Sequence, residues 1–255
     1  LREKERNQMT IGALDGEASA YVRELVRRAQ GILKELVGSL LIGSGALGDY
    51  VAGTSDIDVT LIAADALGQE DKEELVRQLA YDALPCPAAK LELVVYRAES
   101  LKRPKRAHEY ELNLNSGAGV RELAIYDFKK DDPHWFVLDA AIARDRGIAI
   151  TGPAPSVLIA EIPRDQILEA LRTSIDWHRA HEATYLTVLN ACRSWRYAAE
   201  GTWVSKSEAA RWALSRSAHR DLIEAALVAR RAGAAVSVGP GTTGGLLDEV
   251  LANLR

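Results

Sequence analysis

The stretch 148-IAITGPAP-155 divides the chain into two textures, and this division constrains the fold more than any other feature. Ahead of it, short β-branched runs alternate with segments of helical spacing, the pattern of a layered unit of sheet and helices. Behind it, 163-PRDQILEALRTSIDWHRA-180, 184-TYLTVLNACRSWRYAAEG-201, 205-SKSEAARWALSR-216 and 219-HRDLIEAALVARRAG-233 are periodic and rich in Ala and Leu, which predicts a helical bundle. A chain of 255 residues has room for both. The expectation is an α+β protein: a mixed β-sheet flanked by helices over residues 9–155, then an α-helical domain over residues 156–255.

Within the first part, the spacing predicts a helix over 17–37, strands over 40–43 and 56–63, a helix over 70–84, and strands over 90–97 and 108–116. Residues 134–147 read as helical and 148–155 as extended. In the second part Pro163 suits a first helical position, and Ser205 with Glu208 has capping-box spacing. The string 239-GPGTTGG-245 lacks the Lys-Ser/Thr pair of a phosphate loop and reads as a flexible connector before 246-LLDEVLANL-254. Trp177, Trp195, Trp203 and Trp212 are expected in the core, and His178 and His181 on a helix surface or in a substrate groove.

A formal charge of −4 argues against a nucleic-acid surface, which needs a basic excess, and suits a cationic partner better. Cys86 and Cys192 are far apart and form no CxxC pair, which fits a reducing compartment. No apolar run reaches the length of a membrane span, and the first residues, LREKERNQ, are charged. These features together predict a cytoplasmic monomer with no membrane or nucleic-acid partner. The only methionine is Met9, so the native start is expected there or upstream.

The chemistry gathers in 43-GSGALGDYVAGTSDIDVTLIA-63. Residues two apart in a strand share a face, so Asp56 and Asp58 project together. Two like charges that close repel, and a divalent cation between them removes the conflict. Mg²⁺ suits this arrangement, because it takes oxygen ligands and leaves positions for substrate phosphates. A bare Asp-x-Asp also fits a turn-stabilising Asp56 and a solvated Asp58. Context favours the metal: Gly43-Ser44 ends the preceding strand in a turn whose N–H groups and hydroxyl suit phosphate. On the strand 90-KLELVVYR-97, Glu92 supplies a third acid.

The order Gly-Ser, eleven residues, Asp-Ile-Asp, then an acid on a later strand resembles the DNA polymerase β-like nucleotidyltransferase superfamily. The stretches 186-LTVLNACRSWRYAAEGTWVSKSEAARWAL-214 and 147-GIAITGPAP-155 narrow the resemblance to the aminoglycoside (3'')(9) adenylyltransferases. That resemblance implies an N-terminal nucleotidyltransferase domain using ATP and Mg²⁺, with two ions held by Asp56, Asp58 and Glu92. It further implies Gly43, Ser44 and Ser55 at the nucleotide, Lys206 and Arg193 toward its phosphates, and Glu92 as general base at the acceptor hydroxyl. The acceptor would be a cationic aminoglycoside-type antibiotic, met by acids such as Asp176 and Glu182, and more weakly Glu109 and Glu111.

One departure bears on the substrate. Streptomycin-modifying members carry a tryptophan after the segment matching 110-YELNLNSG-117, where this chain has small residues around Ser116 and Gly117. A guanidinium-bearing acceptor would lose a cation–π surface there, so spectinomycin is the better candidate. The alternatives are a superfamily member acting on a protein, tRNA or other hydroxyl, and a non-catalytic nucleotide-binding module.

Overall fold

Asp15 opens the first described helix, α1 (Gly16–Ile32), by accepting the Ala18 N–H at 2.8 Å, a cap worth about 1 kcal/mol. The computed structural model describes residues 11–181, 183–233 and 240–255. The chain forms two units, the first ending at Ile162 and the second beginning at Pro163.

The first unit is built on a six-stranded mixed sheet: β1 (Leu36–Leu41), β2 (Ile57–Ala63), β3 (Leu91–Arg97), β4 (Tyr110–Ser116), β5 (Leu123–Ile125) and β6 (Ile148–Thr151). The strand order is β5-β4-β3-β2-β1-β6. Only β2 and β3 run parallel; every other neighbouring pair is antiparallel. A parallel pair needs a crossover, and helix α3 (Gln69–Leu79) supplies it.

The two faces of the sheet differ in chemistry. Ile57, Val59 and Leu61 of β2 and Leu91, Leu93 and Val95 of β3 enter one apolar core with α1 and α3. Asp58, Glu92, Asn113 and Asn115 alternate with these residues and point to the opposite face. A helix on that side, α5 (Pro133–Arg146), sets the Phe136 ring against Tyr110 with centroids 4.6 Å apart.

Three local expectations shift. Leu33 is already extended and its N–H closes α1 on Ala29, so the helix ends at Ile32. Leu36 then pairs with Ala63 and begins β1 earlier than its helix-like spacing suggests. The edge strand β5 was not expected, since three half-exposed or exposed residues carry no alternation to read. Around the Gly/Pro boundary, Pro155–Leu158 forms a helical turn, α6, that stays with the first unit. Its Leu158 packs at Gly38, and the Ala160 N–H donates at 2.9 Å to Leu101 O, at the end of the one-turn helix α4 (Ala98–Leu101).

The second unit holds α7 (Arg164–Ala180), α8 (Tyr185–Glu200), α9 (Lys206–Ala213), α10 (Arg220–Ala232) and α11 (Pro240–Asn253). Helix α8 is central and packs on the other four. Thr184 and Thr187 form a capping box at its start, and Gly201, in the left-handed region, ends it. Pro163 is the cap of α7 and not its first helical residue. The glycine-rich string does not form a connector over its described part: helix begins at Pro240 and continues through Gly244 and Gly245. Gly245 lies so close to the His219 ring that a Cβ would meet it at 2.6 Å.

Trp203 is 1 % exposed and stacks on Tyr197, while Trp195 and Trp212 meet edge to face. Cys86 and Cys192 are buried thiols. Among the described residues no helix is long and apolar enough to cross a membrane.

Candidate active site

Asp58 and Glu92 are Cα partners across the parallel β2–β3 pair, each at the second position of its strand. Asp56 lies just ahead of β2 and completes the group. Burial first, then the charges of Glu92 and Asp56, push the Asp58 carboxyl well above its usual range. The conflict expected from the sequence is therefore present in three dimensions.

The Gly-Ser turn closes on the same point. The Ile42 N–H donates to Asp58 O at 3.0 Å, tying the end of β1 to the start of β2. Gly43 then adopts φ +60° and opens the one-turn helix α2 (Gly43–Ala46). A Cβ on Gly43 would lie 1.9 Å from Asp58 Oδ2, so glycine is required by both the backbone angle and the contact. Ser44 follows on α2, half-buried. Ser55 is spent locally: its hydroxyl accepts the Val51 N–H at 3.0 Å and braces the loop before Asp56.

Several groups escaped the sequence reading. Lys90, immediately before β3, reaches into the acids, with Nζ 2.5 Å from Glu92 Oε1 and 3.9 Å from Asp56 Oδ2. Burial opposes its ammonium, but the charges of Glu92, Asp56 and Asp58 prevail and raise the group above its ordinary value. Its place beside the Glu92 motif was the available signal. Asp139 of α5, one turn after Phe136, adds to the upward shift of Asp58. It also adds, after burial, to that of the Tyr96 phenol. A single acid within VLDAAIA was its trace in the sequence.

A row of amides continues across the sheet. Asn115 Nδ2 donates to Asn113 Oδ1 at 3.0 Å, Asn113 Nδ2 donates to Asp131 at 2.9 Å, and the Tyr110 hydroxyl also donates to Asp131. Asn115 Oδ1 faces Lys90 Nζ at 3.4 Å.

Oxygen donors suited to Mg²⁺ are thus present. Among the described residues no group of three or more acidic, His or Cys side chains closes into a metal cage. Mg²⁺ commonly takes one or two carboxylates and leaves its remaining positions to water and phosphates, and the adjacent Asp58 and Glu92 fit that pattern.

Other candidates are placed differently. Glu109 pairs with Arg106, whose hydrogen bond lowers the Glu109 carboxyl, and Glu111 pairs with Lys72 of α3 at 2.9 Å. Both acids are engaged by neighbouring cations. In the second unit Asp176 is exposed on α7 and Lys206 is the first residue of α9, directly after the Ser205 cap. Arg193 Nη2 donates to Asn190 Oδ1 at 3.4 Å. His178 is buried, not on the surface, and its ring contacts Thr187 at 3.4 Å and Asn190 at 3.2 Å. His181 caps α7 and stacks on Trp177 at 3.9 Å. Glu182 lies outside the described residues.

A mixed sheet carrying the glycine turn and the paired acids, followed by a helical unit, is the α+β arrangement expected from the sequence. Residues 157–239 match the family model of the aminoglycoside adenylyltransferase C-terminal domain. The chain is also similar to the crystal structure of spectinomycin adenyltransferase AAD(9) from Enterococcus faecialis with ATP and spectinomycin. The TM-score is 0.65 at 14 % identity, covering 92 % of this chain and 98 % of that one. A sequence search of curated proteins finds no match. The family model thus covers residues 157–239, and the structural likeness shows the fold of the chain.

Proposed function

We propose that this protein transfers AMP from Mg-ATP to a hydroxyl of an aminoglycoside-type antibiotic, spectinomycin in preference to streptomycin, and so confers resistance in the cytoplasm. The observation that carries the reading is the register setting Asp58 beside Glu92 with the Gly43 turn against Asp58. The family of the helical unit and the ligands of the structural neighbour support it.

In this reading each residue takes a role. Gly43 and Ser44 offer the start of a turn to the nucleotide phosphates, and Asp56, Asp58 and Glu92 would hold Mg²⁺. When bound, Mg²⁺ neutralises charge on the transferring phosphoryl group and the leaving pyrophosphate. Glu92 takes the proton of the acceptor hydroxyl as its oxygen attacks the α-phosphorus and pyrophosphate departs. On the resemblance, Lys206 and Arg193 serve the phosphates, and Asp176 and Glu182 the cationic acceptor. Ser55 acts through the loop it braces.

The test is pyrophosphate release from Mg-ATP with spectinomycin, with streptomycin, or with no acceptor, using Asp58→Asn as the blank. Release that depends on one drug and vanishes in the blank supports the reading and identifies the substrate. A folded protein that binds ATP and releases nothing with either drug would sink it.

A further inference from the structure

The geometry points to Lys90 as a built-in counter-ion that holds the acid cluster in the nucleotide-free protein and must leave it when a divalent cation binds. The inference rests on the proposed metal-nucleotide reading of this site and adds a residue that competes with the metal.

Three observations combine. The Lys90 ammonium touches Glu92 at 2.5 Å and approaches Asp56 at 3.9 Å, so it lies where a cation shared by these acids would lie. The Lys90 charge faces Asp56, Asp58 and Glu92, the same acids that would hold a doubly charged ion. The third observation is a second resting place: Asn115 Oδ1 is 3.4 Å from the same nitrogen. The orientation of that amide is held from behind, because Asn115 donates to Asn113 and Asn113 donates to Asp131. An ammonium on a flexible four-carbon stem can move from the acids to this oxygen without leaving hydrogen-bonding surroundings.

Competition has a functional consequence. Free metal must displace Lys90 by itself, whereas metal carried on a nucleotide brings phosphate contacts that favour the exchange. The protein should therefore bind divalent cations weakly alone and well with nucleotide, which keeps the acids ordered yet available.

The experiment titrates the nucleotide-free full chain with Mn²⁺ and follows the free ion by electron paramagnetic resonance. Lys90→Met should bind Mn²⁺ about tenfold more tightly than the unaltered protein, the size expected when one ammonium leaves a partly exposed acid pair. Lys90→Arg should not show the gain. Lys102→Met, which removes an exposed lysine elsewhere, is the charge-matched control and should be unchanged. Circular dichroism and thermal melting verify folding. Asn115→Leu, which alters no charge, should weaken Mn²⁺ binding because the displaced ammonium loses its resting place. Equal Mn²⁺ affinity in Lys90→Met and the unaltered protein, or an equal gain in Lys102→Met, overturns the inference; if Lys90→Met does not fold, no weakening in Asn115→Leu does so. Since no turnover is read, a failure to transfer AMP would count against the proposed reaction and leave this result separate.

Discussion

Asp58 and Glu92 stand side by side at the starts of two parallel strands, with Gly43 closed against the Asp58 carboxylate. Parallel pairing puts both acids at the same end of the sheet and on the same face, and the apolar alternation on the other face prevents a one-residue slip. The core therefore sets the register, and the register assembles the acids.

Asp58→Asn should stabilise the metal-free protein while abolishing AMP transfer. Burial first, and then the neighbouring carboxylates, make an ionised Asp58 costly, and the amide removes that cost. About 1 kcal/mol gained would raise Tm by roughly 2–4 °C in a protein of this size. Thermal melts in chelator and in Mg-ATP check it: the variant should melt higher in chelator and lose the stabilisation that Mg-ATP gives the unaltered protein.

Glu92→Gln should lower kcat by about a hundredfold to ten-thousandfold, the range for loss of a general base. Folding should be kept, as should ATP binding measured by calorimetry. Normal turnover in this variant would remove Glu92 from the base role.

Gly43→Ala should lose activity and stability together. The left-handed backbone alone costs about 1–2 kcal/mol, and the added methyl must push the Asp58 carboxylate aside. Chemical denaturation and pyrophosphate release read the two losses; an active, equally stable variant would contradict the contact.

Leu61→Ala should destabilise the first unit by about 2–5 kcal/mol, since Leu61 is fully buried between strands and helices. A fall in denaturation midpoint well below that range would mean the core closes over the gap.

Acid stability should carry a contribution from Glu24. Hydrogen bonds from Arg27 and Arg28 hold its carboxyl down to about 2, against roughly 4.3 in an unfolded chain. A depressed acid stabilises above its unfolded value, so the contribution is present at neutral pH and fades as pH falls from about 4.3 toward about 2. Denaturation between pH 5 and 2 should show a shallower loss for Glu24→Gln than for the unaltered protein. The effect should be small, because Arg27 is exposed and the pair is screened.

Much of this was legible in the chain. The alternation in 56-DIDVTLIA-63 and 90-KLELVVYR-97 announced two strands with their acids on one face, and both formed within a residue of the expected bounds. The periodic second half announced its helices, because a repeated apolar stripe can be buried only against a neighbour. Shorter signals failed for a physical reason. Leu36 continues a helical spacing yet pairs with Ala63, and the glycines at 244 and 245 read as loop yet lie in a helix, Gly245 against His219.

The sequence by itself determined the element types and the presence of Asp56, Asp58 and Glu92, since local periodicity and residue chemistry are properties of neighbours along the chain. Only the tertiary structure decided that Lys90 would lie among those acids, that Asp139 would face them from a helix, and that Glu111 would be taken by Lys72. Those relations depend on strand register and helix placement, which are set by burying the apolar faces of the strands and helices.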